Sequence, residues 1–227
     1  MNNNIKKLYN KICLDEDIIK IYENIELFEE KNGGWAYHNL EHIKNVTIIA
    51  SEILSKLNYD EEFIYKSKIA CLLHDIGAID GKDNHAYKSY ELSKEYFQKN
   101  DISFDGIDLV LDAIKTHSDG FDTENIIALS LIFSDKLDIK KSRISDAGMK
   151  VIGNRQYGHI DDIRLEIKNR TLVIDFVTDG KIDLKEISDY YFTKKVFKAV
   201  ESFAKIMKLK YRILIDNNVW NINNDKN

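Results

Sequence analysis

Proline is absent from all 227 residues, so the usual marker of turns and helix ends is missing and boundaries must be read from Gly, Asn and Asp. Ile, Lys and Asn are abundant alongside that absence, a pattern attributed to the coding bias of an AT-rich genome. Only two cysteines occur, Cys13 and Cys71, too few for a disulfide framework and neither with a partner at metal-ligand spacing. A reducing compartment is the expectation. No stretch approaches the about 18 uninterrupted apolar residues of a membrane span, and the opening MNNNIKKLYNKICLDED lacks the apolar core and small-residue cleavage site of a signal peptide. A soluble, cytoplasmic protein with no membrane partner is therefore expected. A basic surplus is lacking too: 33 Lys and Arg against 38 Asp and Glu give a net charge of −5 and a pI near 5.7. That balance argues against a nucleic-acid polymer as partner, because such binding needs a cationic footprint to release counterions from phosphates. It leaves room for a small anionic substrate at a metal site whose local charge overrides a mildly acidic surface.

What is present is helical periodicity over the first 140 or so residues. The chain is long enough to bury a core in one substantial domain, or in one domain with a small appended unit. Val46, Ile49, Ile53 and Leu57 recur at spacings of three and four on a helix starting near Leu40, with His42 one turn earlier on the same inward stripe. A second helix is predicted over Glu61 to Ile76, stopped by Gly77, with Ile69, Ala70 and Leu73 preceding His74 and Asp75. A third starts near His85, a fourth covers Ile107 to about His117, and a fifth opens on an Asp122/Thr123 cap and runs to Leu137. After about residue 160 the pattern turns to alternation. Leu165 and Ile167, then Leu172, Ile174 and Phe176, flank a Lys168-Asn169-Arg170 turn and read as a β-hairpin. A long amphipathic helix from about Leu184 to Met207 and a strand from Tyr211 to Ile215 complete the expectation. The fold class is thus mainly α, a helical bundle with a small C-terminal α+β unit, and residues 221–227 are expected to form a frayed polar tail.

Chemistry concentrates at His74-Asp75 within CLLHDIGAID, where two ligand types emerge together at a helix end. A lone His-Asp dipeptide is common by chance, so the other positions decide its meaning. His42 faces inward, and Asp135 sits in LIFSDKLD, a carboxylate in an otherwise apolar helix that must be paired, metal-bound or protonated. Separate hydrogen-bond partners would satisfy each; one metal ion would satisfy all. Ligation by His and carboxylate without cysteine suits Mn, Fe, Co, Ni, Zn or Mg better than a structural zinc finger.

The order EHIKNV, LLHDIG, SDKLD resembles the HD superfamily of metal-dependent phosphohydrolases, whose signature is a His, a later His-Asp pair and a distant Asp on a helical bundle. The likeness covers roughly residues 35 to 145, and suggests an HD-type domain over 1–155 followed by the α+β unit over 156–220. It implies His42, His74, Asp75 and Asp135 as ligands of a first divalent ion. His85 in NHAYKSYELSKEYF and His117 in AIKTHSDG resemble the two extra histidines of dinuclear members, which implies a second ion with Asp75 bridging the two. Two such ions activate a water and neutralise phosphoryl charge, so Asp75 is also expected to be catalytic.

The likeness has departures. Several members carry an acidic residue or lysine three positions after the Asp of the pair; here that position is Ala78, and Lys82 and Asp83 nearby read as a solvated turn. His38, four residues before His42, lacks the Glu that a zincin would place at Asn39, so it is read as lining the pocket or touching substrate, with a helix cap as the alternative. Lys136, Lys140, Lys141 and Arg143 follow Asp135, and the Arg143 fork is the preferred phosphate contact, against a solvated charged helix end. Gly148, Gly153 and Gly158 are too scattered for a phosphate loop. Tyr190, Tyr191, Phe192, Phe197 and Phe203 read as core or as the face of a homodimer, not as a base-stacking platform. The expected activity is hydrolysis of a phosphate ester or anhydride of a nucleotide or small metabolite. The ligand set resembles diadenosine tetraphosphate hydrolases more than alarmone hydrolases, whose His-Asp-x-x-Glu-Asp extension is missing. A nucleotide-sensing regulatory protein and a di-iron oxygenase are the alternatives from other classes.

Overall fold

A computed structural model describes residues 3–222, so residues 223–227 of the expected polar tail lie outside the described residues. The described residues divide into two compact units, one of residues 3–32 and 38–135, the other of residues 33–37 and 136–222. It is mainly α, with a helical bundle and a small four-stranded sheet in its C-terminal part. Among the described residues, no helix is long and apolar enough to cross a membrane.

The first unit is built from α1 (Asn3–Cys13), α2 (Glu16–Asn32), α3 (Leu40–Lys56), α4 (Glu61–Leu73), α5 (His85–Lys99), α6 (Ile107–Thr116) and α7 (Ile126–Leu137), the last of which runs two residues into the second unit. Its core draws on Ile12, Ile18, Tyr22 and Ile25 of α1 and α2, Val46 and Ala50 of α3, Ile69 and Leu73 of α4, and Val110, Ile114, Ile127 and Leu131 of α6 and α7. Each fully buried aliphatic side chain contributes about 1.5–3 kcal/mol, which is what holds short helices of modest intrinsic stability in place. Local chemistry sets the ends. Asn39 caps α3 by accepting the His42 N–H at 3.1 Å, and Asp60 caps α4 through Phe63.

Two boundaries differ from the sequence reading. The second helix ends at Leu73, three residues early, because Asp75 leaves helical geometry (φ −111°, ψ 6°) and a short 3-10 turn over Ile76–Ala78 follows. The cap of α7 is Asn125, whose Oδ1 accepts from Ile127 and Ala128; Thr123 instead accepts the N–H of Asn125 itself. The second shift arises because the Asn125 side chain meets backbone donors that spacing alone does not reveal.

In the second unit, β1 (Ile160–Lys168) pairs antiparallel with β2 (Thr171–Thr178), β2 pairs parallel with β3 (Lys210–Ile215), and β3 pairs antiparallel with β4 (Asn218–Val219). The hairpin forms where expected. Asn169 and Arg170 both have positive φ (49° and 57°), the backbone pattern of a two-residue loop whose twist matches that of the strands. The parallel pairing needs a crossover, supplied by α8 (Leu184–Asp189) and α9 (Tyr191–Ile206). The single long helix expected there is therefore two. Tyr190 is extended (φ −70°, ψ 132°) because its ring lies against Gly153, where an added Cβ would come within 2.6 Å, and its hydroxyl donates to Asn154 at 3.2 Å. Val196, Val200 and Phe203 then bury one stripe of α9, so the C-terminal aromatics Tyr190 and Phe203 are core. The segment 33–37 joins this unit through Tyr37, whose N–H donates to the Arg143 carbonyl at 2.7 Å, and through the Ala36–Ile144 bridge.

Candidate metal centre

Six side chains meet where helix ends converge in the first unit. His42 is in the first turn of α3, His85 opens α5, His74 and His117 cap the C-terminal ends of α4 and α6, Asp75 follows His74, and Asp135 lies in the last turn of α7. Helix ends suit this role, because a side chain there can leave the packed face of its own helix while the core fixes its base. Six of the seven sequence-derived candidates, His42, His74, Asp75, His85, His117 and Asp135, meet in this cluster; Arg143 does not. Arg143 lies in the second unit, buried, where Nη1 donates to the Asp138 carbonyl at 3.0 Å.

Asp75 organises the cluster. Its Oδ2 lies 3.1 Å from His74 Nε2 and 3.7 Å from His42 Nε2, while its Oδ1 lies 3.4 Å from His85 Nε2 and 3.5 Å from His117 Nε2. The two oxygens of one carboxylate thus face two different pairs of imidazoles. Asp135 Oδ1 closes the first group at 3.3 Å from His42 Nε2 and 3.9 Å from His74 Nε2. Donor atoms of His42, His74 and Asp135, and separately of His74, Asp75 and His117, lie within 4.8 Å of one another, and all five residues are buried.

The tautomers say what the cluster is suited to hold. A carbonyl oxygen only accepts, so Nδ1 of His74 donates to Cys71 at 2.8 Å, Nδ1 of His85 to Lys82 at 2.8 Å, and Nδ1 of His117 to Ile114 at 2.7 Å. When neutral, each ring carries its lone pair on Nε2, turned into the cluster. Two of these, on His85 and His117, are 3.0 Å apart. His74 Nε2 and Asp75 Oδ2 are buried without a hydrogen bond, although they sit close together. Lone pairs and carboxylate oxygens converging at such distances repel unless a proton or a cation lies among them. The donor set of imidazole and carboxylate fits a divalent ion, and backbone-anchored Nδ1 atoms are the usual way ligand rings are oriented.

Protonation follows the same geometry. Burial pushes His85 down to about 4, with the Lys82 charge adding to the effect, and burial also lowers His117, so both rings are neutral donors at neutral pH. Burial would lower His74 too, but the Asp75 and Asp135 carboxylates outweigh it and raise it above 6.5. Burial would raise Asp75, yet the His74, Lys82 and His38 charges hold its carboxyl well below the usual range. Without a metal, a proton on His74 therefore balances the buried carboxylates.

A stability profile follows for chelated protein. The folded pKa values of His85 and His117 lie below the unfolded 6.5, so as pH falls under 6.5 the unfolded chain binds more protons and stability drops, for His85 down to about 4. Asp75, depressed, contributes stability above its unfolded 3.8 that is lost as pH falls through its folded value. His74 has the opposite sign: its contribution is complete below 6.5 and is lost as pH rises through its raised folded value. The melting temperature of chelator-treated protein should therefore fall steeply from about pH 6.5 to about pH 4. A flat profile over that range in thermal melts contradicts the assignment of neutral rings.

Sequence reasoning missed or misread three neighbours. The turn carrying Lys82 is not simply solvated: Lys82 Nζ lies 3.3 Å from Asp75 Oδ1, and its carbonyl holds His85. Ser118 Oγ is 3.3 Å from His85 Nε2, directly after His117. Glu29, buried on α2, binds both the backbone N–H and the Nδ1 of His38. Its nine-residue separation from His38 matches no local motif, so no sequence signal marked it.

Residues 39–143, which contain all six clustered side chains, match the family model described as HD domain. The chain belongs to the HD-domain family. An uncharacterized protein from Clostridium beijerinckii is similar to it, 31% identical over 116 residues that span 49% of this chain and 71% of that protein. HD-domain membership implies binding of a divalent metal, and most of the superfamily are metal-dependent phosphohydrolases.

Proposed function

We propose that this HD-domain protein hydrolyses a phosphate ester or anhydride of a nucleotide or another small phosphorylated metabolite. His42, His74, Asp75 and Asp135 would hold one divalent ion, and Asp75, His85 and His117 a second. The observation that carries the reading is the Asp75 carboxylate, whose oxygens face the His42/His74 pair on one side and the His85/His117 pair on the other. Such ions, when bound, supply a water of lowered pKa and neutralise charge on phosphoryl oxygens.

The protein's own groups then have separate tasks. His74, His85 and His117 have Nδ1–H fixed by backbone carbonyls; His85 and His117 are neutral and ready to donate their lone pairs, while His74 would release its Nε2 proton to an incoming ion. Lys82, half exposed and 3.3 Å from Asp75 Oδ1, would offer a positive charge to a substrate phosphate. Ala78 is buried and carries no acid, so the proton for the leaving group is not drawn from that position. Burial of His42, His74, Asp75 and His117 keeps bulk water from the inner cluster and strengthens every charge interaction within it.

The test begins with metal analysis of protein purified without added metal. Reconstitution with Mn, Fe, Co or Zn is followed by a panel of phosphomonoesters, phosphodiesters, nucleotides and dinucleoside polyphosphates. Phosphate release that depends on added metal and disappears in His74→Ala supports the reading. A fully metallated protein that cleaves none of the panel overturns it.

A further inference from the structure

The sheet of the second unit leaves one long edge open. In the order β1-β2-β3-β4, β1 pairs with β2 alone, and among the described residues no strand pairs with its other side. The opposite edge is blunted, because β4 is two residues long, whereas β1 runs for nine, against about five or six in an ordinary strand. Unpaired N–H and C=O groups on an edge template further pairing, and proline or shortness is a common protection. β1 has no proline, and its register is broken only by a bulge between Ile160 and Asp162. Beyond that bulge Asp162–Lys168 pairs without interruption, and Leu165 is the midpoint of the stretch.

The hairpin decides which groups point outward. Across its two-residue loop the flanking pair, Lys168 and Thr171, exchanges both hydrogen bonds, and bonded and non-bonded pairs alternate from there. Ile163, Leu165 and Ile167 therefore turn their N–H and C=O away from β2. Their side chains share a face with Phe176, Ile174 and Leu172, the residues they oppose. Leu165 is buried there, but Ile163 and Ile167 are only half-buried. The other face of β1 carries Asp162, Arg164, Glu166 and Lys168. All four are exposed, and among the described residues none of them forms an ion pair within the chain.

The order of those residues is its own complement. Turned antiparallel about Leu165, a second copy of β1 sets Asp162 against Lys168, Arg164 against Glu166, Ile163 against Ile167 and Leu165 against itself. Every charge then meets its opposite on one face, and every aliphatic side chain meets another on the other face. A shift of the centre destroys the match. About Arg164, Asp162 opposes Glu166 and the arginine opposes itself; about Glu166, Arg164 opposes Lys168. Centring on Ile163 or Ile167 runs the pairing into the bulge or the turn. We propose that β1 is a self-association edge, with a second copy of this chain as its partner. Two β1 strands pair antiparallel about Leu165, so that two four-stranded sheets become one continuous sheet across a two-fold axis. Each copy supplies the donors and acceptors that the other's edge lacks, and the half-buried Ile163 of one is covered by Ile167 of the other.

The test is the mass of full-length, Mn-loaded protein in solution. Sedimentation equilibrium at up to about 100 µM should give twice the chain mass of 26.4 kDa. Asp162→Lys sets two lysines against each other at both ends of the interface, and Lys168→Asp sets two acids there. Each should weaken the dimer about tenfold or more. The double variant Asp162→Lys/Lys168→Asp restores opposite charges in this register and should recover wild-type association. Ile167→Pro deletes an outward N–H without touching the β1–β2 ladder, and it too should weaken the dimer. Circular dichroism checks that each variant keeps its native helix content. In wild type, amide exchange at Ile163, Leu165 and Ile167 should slow as concentration rises, while that at Arg164 and Glu166 stays constant. A wild type that remains monomeric at about 100 µM overturns the proposal. So does a dimer that neither the single charge variants nor Ile167→Pro weakens, or one in which exchange at the three outward amides ignores concentration. A folded double variant that associates no better than the single ones overturns the register about Leu165.

Discussion

Asp75→Asn should abolish metal-dependent turnover, lowering kcat/KM by about 10³-fold or more, because each tenfold loss corresponds to about 1.4 kcal/mol and metal activation contributes several kcal/mol. The reason lies in the two-sided placement of the carboxylate. Its Oδ2 faces His42 and His74 while its Oδ1 faces His85, His117 and Lys82. An asparagine keeps the shape but has one oxygen, so whichever way the amide turns, one side of the cluster meets an NH₂ donor where it had an anion. The substitution should therefore cut bound metal on the side that the NH₂ faces and weaken it on the other through the lost negative charge. His85→Ala is the informative comparison, since His85 belongs only to the Oδ1 side and its loss should remove no more than one metal equivalent. Asp75→Asn also removes a counter-charge from His74, whose raised pKa depends on Asp75 and Asp135, so its protonation should shift downward in histidine NMR titrations of chelated protein. Metal stoichiometry by mass spectrometry and rates at saturating Mn decide the matter. An Asp75→Asn protein that keeps two equivalents and stays within tenfold of wild type would remove the central role given to this carboxylate.

How much of this was legible in the chain differs by residue. His42 could be placed inward because its stripe continues through Val46, Ile49 and Ile53, and those residues are buried on α3. Asp135 stood out because an apolar helix cannot leave a carboxylate uncompensated, and it lies within the cluster. The Lys168-Asn169-Arg170 turn was readable because Asn tolerates positive φ, which the hairpin requires. Other features depend on partners far along the chain. Glu29 is one acidic residue among several on α2, and only the folded chain brings it to His38. Lys82 looked like a surface lysine because nothing in the sequence says that the turn after Gly77 folds back over Asp75. The interruption of the long helix at Tyr190 reflects ring packing on Gly153 overriding helical periodicity. Spacing reports which face of an element is buried; it does not report which polar group waits on the element opposite.

The largest effect on the fold itself is expected from Gly77→Ala, the glycine that follows His-Asp-Ile. Its role is space, because a Cβ at this position would lie 2.3 Å from Ser89 N, 2.6 Å from the His85 carbonyl oxygen and 2.7 Å from the Lys88 carbonyl carbon. All three are backbone atoms of α5, so no flexible side chain can yield and the helix itself must move. The Gly77 N–H also donates to Ser89 Oγ at 2.9 Å, and that bond would break as the two segments separate. Overpacking costs about 1–3 kcal/mol where side chains can adjust, so a clash confined to backbone should reach about 3 kcal/mol or more. For a chain of this size that corresponds to a melting temperature lower by roughly 10 °C. Function should suffer before folding does. His85 is the first residue of α5 and its Nε2 sits 3.0 Å from that of His117, so a helix displaced by even about 1 Å opens the Oδ1 side of Asp75 while leaving His42, His74 and Asp135 in place. Gly77→Ala is thus expected to melt early and to retain one metal equivalent at temperatures where it is still folded. A variant that melts within about 2 °C of wild type and binds the full complement of metal would show that the turn and α5 can part without cost.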